Sequence, residues 1–206
     1  MSVRIKENKI RYIIGIDEAG RGPLAGPVSL AALCVKVGDQ KIFKGGPIKD
    51  SKQLTEKDRE RVFEKLKQLK KSGKVSYACS LIGSEIIDRI GIVKAIRLGI
   101  KNVLDRLSIN PKESQVFLDG GIKAPRAYKN QKTIIRGDET VAVIAHASII
   151  AKVTRDRRMK KLAVKFPSYD FHIHKGYGTI EHYRRIKKHG FCIIHRLSFL
   201  RNVQSR

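Results

Sequence analysis

The amino-acid sequence predicts an α/β protein, a mixed sheet flanked by helices. Two observations predict it. Short apolar runs bounded by glycine lead the chain, at Ile10–Ile16 and Val28–Val37. Longer stretches with helical apolar spacing then intersperse with further short runs. That order is expected of a sheet that buries its faces against helices.

Each element has its own signal. Ile10–Ile16 and Val28–Val37 read as the first two strands, and Gly38-Asp39 as a turn into a short third strand around Lys41–Lys44. A loop starts at Gly45 and runs through Asp50-Ser51-Lys52. Thr55 and Asp58 make a capping-box-like helix start. Val62, Phe63, Leu66 and Leu69 form the buried face of that helix, Lys65, Lys67 and Lys71 its solvated face, and Gly73 its end. Val75–Ile82 is a strand, and Ser84–Leu107 is helical in one or two pieces broken near Gly91. Gln115–Leu118 is a strand ending at Asp119-Gly120-Gly121. After a loop with Pro125 and Tyr128 come a strand at Lys132–Arg136 and a long helix over Glu139–Val164, stopped before Pro167. The last helix spans Ile180–Lys188 and closes at Gly190. No internal repeat or linker composition divides the chain, so residues 1–206 are expected to form a single domain.

Lys and Arg number 44 against 19 Asp and Glu, a formal net charge of +25. Such a surplus predicts a polyanionic partner, because Lys and Arg release counterions condensed on nucleic acid. No apolar run approaches the roughly 20 residues of a membrane span. The stretch Met1 to Arg11 is polar and basic, without the apolar core of a secretory signal. Cytoplasmic location without membrane attachment is expected. The three cysteines, Cys34, Cys79 and Cys192, are widely spaced, which suits reduced thiols rather than a disulfide framework.

Against that basic background, a few acids stand out. Asp17 and Glu18 end the first apolar run and are followed by Gly20-Arg21-Gly22. Neighbouring strand residues point to opposite faces. Both acids are therefore expected to reach one site only if the backbone leaves extended geometry, which the glycines make cheap. Asp119 repeats the pattern of apolar strand, acid and glycines. Asp156 lies inside the long helix on the face of Ile149 and Lys152, where small Ala145, Ala147 and Ser148 allow close packing on a sheet. Its competing reading is an i,i+4 pair with Lys152, or a partnership with Arg155 or Arg157. Carboxylates at strand ends next to flexible backbone suit Mg²⁺ chemistry on a phosphodiester. A protein that only bound nucleic acid would avoid acids beside phosphates, since without a metal they repel.

These motifs resemble the type 2 ribonuclease H family, bacterial ribonuclease HII. The resemblance opens with Asp17-Glu18-Ala19-Gly20-Arg21-Gly22-Pro23-Leu24-Ala25-Gly26-Pro27. It continues in order through Asp50-Ser51-Lys52-Gln53-Leu54-Thr55, Leu118-Asp119-Gly120, Ala147 to Asp156, His174-Lys175-Gly176-Tyr177-Gly178-Thr179 and His195-Arg196-Leu197-Ser198-Phe199. The resemblance implies an RNase H-like fold with a central mixed five-stranded sheet and a helical C-terminal part. It implies cleavage of RNA in RNA–DNA hybrids and nicking of duplex DNA 5′ of a single ribonucleotide, by two-metal hydrolysis that leaves 3′-hydroxyl and 5′-phosphate ends. Asp17, Glu18, Asp119 and Asp156 take the catalytic and metal-binding positions, with Mg²⁺ or Mn²⁺ as cofactor. Gly20, Arg21 and Gly22 take the ribose-reading positions, Tyr177 the junction-sensing one, and Ser51 and Lys52 the phosphate contacts. The enzyme is expected to be a monomer. His146 departs from a small residue in relatives and is expected at a helix-packing edge. The His172/His174 pair has no spacing that supports zinc, and His195 and Arg196 are expected to be structural.

Overall fold

The computed structural model describes residues 10–43, 54–121 and 123–200. Its centre is a five-stranded sheet of order β3-β2-β1-β4-β5. The strands are β1 (Tyr12–Ala19), β2 (Val28–Lys36), β3 (Ser76–Ile82), β4 (Ser114–Asp119) and β5 (Gln131–Ile134). β1–β2 and β2–β3 pair antiparallel, whereas β1–β4 and β4–β5 pair parallel.

Side-chain alternation along β2 assigns the two faces. Val28, Leu30, Ala32 and Cys34 pack with Ile96, Ile100 and Val103 of helix α3 (Ile92–Leu107). Ala31, Leu33 and Val35 pack with Phe63 and Leu66 of α1 (Glu56–Lys71) and with Val143, Ala147 and Ile150 of α5 (Ala142–Lys165). Helix α1 starts as expected, with the Asp58 N–H donating to Thr55 Oγ1 at 3.1 Å. Gly91 separates α3 from α2 (Ser84–Ile90). Helix α5 lies close on β1, and a Cβ at Gly15 would collide with the Val143 backbone. Short α4 (Gly137–Thr140) precedes α5, and α6 (Phe171–His174) and α7 (Ile180–His189) form the C-terminal part.

The structure differs from three expectations. The stretch around Lys41 is a 3₁₀ helix, Asp39–Phe43, rather than a strand. Adjacent Ile42 and Phe43 both pack into the α1–α5 core, which extended alternation would not allow. The last strand stops at Ile134 because Arg136 is left-handed, with φ 54°. The long helix is interrupted at Val141, whose φ of −120° and ψ of 110° are extended. His146 sits at the expected packing edge, its ring 4.3 Å from that of Phe43 and its Nδ1 2.7 Å from the Ala142 carbonyl oxygen. Among the described residues, no helix is long and apolar enough to cross a membrane.

Candidate active site

The site forms where the central parallel ladder ends. β1 pairs with β4 only as far as Ile16↔Leu118, but with β2 as far as Ala19↔Ser29. The last three residues of β1 thus present an open edge on the β4 side. A cleft of about 550 Å³ opens there, lined by Asp17, Glu18, Gly20, Arg21, Gly22, Arg59, Asp119, Asp138, Ser148, Lys152 and Tyr177, among others. The expected departure from extended geometry does not occur before Ala19, the end of β1, and both acids nevertheless line the cleft.

Asp17 points toward α5, where its carboxylate meets the Ser148 hydroxyl and accepts the Glu18 N–H at 2.7 Å. It is only 6% exposed. Burial first, and then the neighbouring charges of Glu18 and Asp119, hold its pKa well above the ordinary aspartate value. Glu18 lies 3.5 Å from the Arg21 guanidinium. Asp119 accepts the Gly137 N–H at 2.8 Å, which ties the end of β4 to the start of α4.

Asp156 is placed differently. It is buried, bonds Lys152 Nζ at 2.9 Å and lies 4.0 Å from Arg59 Nη2. Lys152 and Arg59 line the cleft, and Asp156, which pairs with both, is not among the lining residues. The position that the sequence reading missed is Asp138, 4% exposed and in the cleft wall. Its signal was present: Ile134-Ile135-Arg136-Gly137-Asp138 again follows an apolar strand with glycine and acid. The expected strand ends at Arg136 and the expected helix begins at Glu139, which leaves Asp138 between them. Ser51 and Lys52 lie outside the described residues.

Two buried arginines, Arg155 and Arg196, hold the loop after β1. Arg155 donates through Nε to the Pro27 carbonyl at 2.9 Å and through Nη2 to the Lys175 carbonyl at 2.9 Å. Gly20, at φ +86°, leaves room for it, since a Cβ there would overlap the Arg155 side chain. A Cβ at Gly22 would meet no protein atom within 4 Å. Tyr177, 42% exposed, has its ring centroid 5.6 Å from the Arg155 guanidinium carbon and also lines the cleft.

The donor set suits a hard divalent cation: its acids offer carboxylate oxygens, and burial, then the charges of Glu18 and Asp119, raise the pKa of Asp17. Among the described residues, no three acid, histidine or cysteine side chains are gathered closely enough to hold an ion. Asp17, Glu18, Asp119 and Asp138 therefore share a cleft without forming a closed cage.

Comparisons with known proteins divide into fold and family. The ribonuclease H2 of Pyrococcus horikoshii superposes with a TM-score of 0.72 at 24% identity, covering 95% of this chain and 98% of that one. Bst-RNase HIII, solved in complex with Mn²⁺, gives 0.69 at 19% identity, covering 97% and 72%. These likenesses define the class, an RNase H-like fold. A family model described as Ribonuclease HII matches residues 14–202, and the chain belongs to that family. The Ribonuclease HII of Caldicellulosiruptor bescii is 46% identical over 195 residues, 95% of this chain and 89% of the relative. The protein is thus a type 2 ribonuclease H, an endonuclease hydrolase of a metal-dependent family that acts on nucleic acid.

Proposed function

We propose that this ribonuclease HII cuts the RNA strand of RNA–DNA hybrids and nicks duplex DNA 5′ of a single embedded ribonucleotide, leaving 3′-hydroxyl and 5′-phosphate ends. The observation that carries this reading is the meeting of two unlike sets in one cleft. One set is acidic: Asp17, Glu18, Asp119 and Asp138. The other suits a ribose and its phosphates: Gly20, Arg21, Gly22 and Tyr177. Mg²⁺ or Mn²⁺ held by the four acids, in a two-ion arrangement, would supply Lewis acidity toward the phosphate and an acidified water.

The chain's own residues divide the rest of the work. Gly22 has open space where a side chain would stand, so its backbone can approach a sugar edge and its 2′-hydroxyl. Arg21, its side chain 52% exposed, can neutralise a phosphate. Lys152 and Arg59 bring positive charge to the cleft, and Asp156 pairs with both. The Tyr177 ring can stack on the sugar beyond the junction while its hydroxyl reaches the 2′-oxygen. Ser51 and Lys52 would add phosphate contacts. The +25 net charge supports a duplex substrate. We take the enzyme to act as a monomeric single domain in the cytoplasm.

The test is a duplex DNA carrying one ribonucleotide, incubated with protein and Mg²⁺ or Mn²⁺. A nick on the 5′ side of the ribonucleotide is expected, and none with chelator. A duplex that is bound but intact with both metals would overturn the reading.

A further inference from the structure

His195 and Arg196 are fully buried neighbours that the mechanism above leaves unused. They belong to a strap laid along the loop after β1. Gly26 N–H donates to the Ile194 carbonyl at 2.8 Å, Arg196 N–H to the Leu24 carbonyl at 2.7 Å, and His195 bridges Ala25. From this strap the two side chains run to different substrate-reading elements.

The Arg196 guanidinium donates to three carbonyls: Gly26 at 2.9 Å, Arg21 at 2.9 Å and Gly20 at 2.7 Å. In a planar trans peptide, C=O and N–H point in opposite directions. Drawing the Gly20 and Arg21 carbonyls inward onto Arg196 therefore turns the N–H groups of Arg21 and Gly22 outward. Those are backbone donors of the loop that lines the cleft.

His195 starts a relay whose tautomers are fixed by its ends. Cys192 N–H donates to His195 Nδ1 at 2.9 Å, so the ring proton sits on Nε2. That Nε2 lies 3.1 Å from His182 Nε2, which must accept. His182 therefore carries its proton on Nδ1 and donates to the Tyr177 carbonyl at 2.9 Å. The opposite assignment would set the lone pair of His182 Nδ1 against that carbonyl oxygen. The other side of the same residue is held by His174, whose carbonyl accepts the Tyr177 N–H at 2.9 Å. The His174 ring accepts the Gly176 N–H and stacks on His182, with centroids 4.3 Å apart.

We propose that His195 and Arg196 are positioning residues that set the two substrate-reading elements relative to each other: Arg196 aims the Arg21 and Gly22 N–H groups, and His195 acts through His182 on Tyr177. This rests on the ribose-reading and junction-sensing roles proposed above. The two arms predict different failures. Loosening Tyr177 harms the junction substrate selectively. Loosening the glycine loop harms every substrate with a ribose at the cut.

The experiment measures kcat/KM on a single-ribonucleotide duplex and on a long RNA–DNA hybrid, with thermal unfolding as the folding control. His195→Leu is expected to lower the ratio of the first to the second about tenfold, and His195→Gln, which keeps a donor near Nε2, to restore most of it. Arg196→Lys is expected to lower both rates together, by about tenfold or more, because one ammonium cannot span three carbonyls. In a Tyr177→Ala background, His195→Leu is expected to leave the ratio unchanged. Should His195→Leu not fold, His182→Asn replaces it, keeping a donor to the Tyr177 carbonyl while ending the relay, and is read by the same ratio. A folded His195→Leu or His182→Asn with an unaltered ratio would overturn the proposal. So would a full additional effect in the Tyr177→Ala background, or Arg196→Lys with unaltered rates. A wild type that cuts neither substrate would instead overturn the reading beneath it, and the proposal with it.

Discussion

Asp17 and Arg196 are both buried charged groups at the loop after β1, and their surroundings differ in kind. Arg196 gives its donors to three backbone carbonyls. Burial, and then the nearby charge of Arg155, bring its pKa down to about 9, so it remains a cation at neutral pH. Asp17 has a hydroxyl and one backbone N–H for company, and its nearest charges, Glu18 and Asp119, repel it. A buried charge is tolerated when hydrogen bonds replace its hydration, and it is costly when like charges crowd it. The C-terminal clamp is therefore a completed structure. In the acid wall, Asp17 is buried beside two like charges, a setting in which a bound cation would be stabilising.

The largest effect that tests this contrast is Asp17→Asn. Cleavage is expected to fall by about a thousandfold or more, as when a group acting in concert with others is removed. The metal-free protein is expected to melt higher than wild type, because a repulsion has gone. Mg²⁺ should raise the wild-type melting temperature and leave that of the variant nearly unchanged. A metal-free variant that melts lower would show that Asp17 is structural, as Arg196 is, and the contrast would break.

Next in size comes the division between Asp138 and Asp156. Asp138→Asn is expected to cost about a hundredfold or more in kcat, the scale of losing one charged group at the reacting centre. Asp156→Asn should cost about tenfold, chiefly in KM, because Lys152 and Arg59 lose the carboxylate that orients them. Steady-state kinetics on one ribonucleotide duplex separates the two. Equal losses in kcat would return Asp156 to the reacting group.

A third comparison lies between two glycines. Gly20→Ala must place a Cβ at φ +86° and into the buried Arg155 side chain, so about 2–3 kcal/mol of stability should be lost. Gly22→Ala meets no protein atom, so its melting temperature should stay near wild type while cleavage falls about tenfold through obstruction of the sugar. Urea unfolding and the nicking assay together read both. A fully active Gly22→Ala would detach that residue from the substrate.

Local signals made most of this legible. Asp17, Glu18 and Asp119 sit at the ends of apolar runs, where period-2 alternation stops and glycine begins. The Thr55–Asp58 cap, the Gly91 break and the Gly190 stop all depend on neighbours a few residues away. The misreadings have a different origin. Around Lys41, packing of adjacent Ile42 and Phe43 into a core made by distant α1 and α5 overrode a strand-like start. Asp138 falls between the expected strand and the expected helix, in a short helix, α4, that the sequence pattern does not separate from α5. Asp156 satisfies the pattern of an inward-facing acid, and the partner that the pattern does not report is Arg59, which comes from α1, far away in sequence. The partners of Arg155 and Arg196 are carbonyls, which no side-chain pattern reports.

The smallest effect is a difference in sign with pH. Burial depresses the His182 pKa from 6.5 to about 4, and the neighbouring rings of His174 and His195 add to it. The unfolded chain therefore takes up this proton before the folded one does. The stability associated with neutral His182 is complete above about pH 6.5 and is lost as the pH falls toward 4, by on the order of 3 kcal/mol at most. His174 and His195 shift in the same direction, also chiefly through burial. Asp17 runs the other way. Its folded pKa is raised, so the folded state binds the proton first, and lowering the pH through that value relieves the crowding with Glu18 and Asp119. The clamp should therefore lose stability on acidification while the acid wall gains some. Urea midpoints between pH 7.5 and 4 should fall, less steeply in His182→Asn and more steeply in Asp17→Asn, which has no proton left to gain. Parallel curves for the two variants would mean that the relay and the acid wall do not hold their charges in opposite ways.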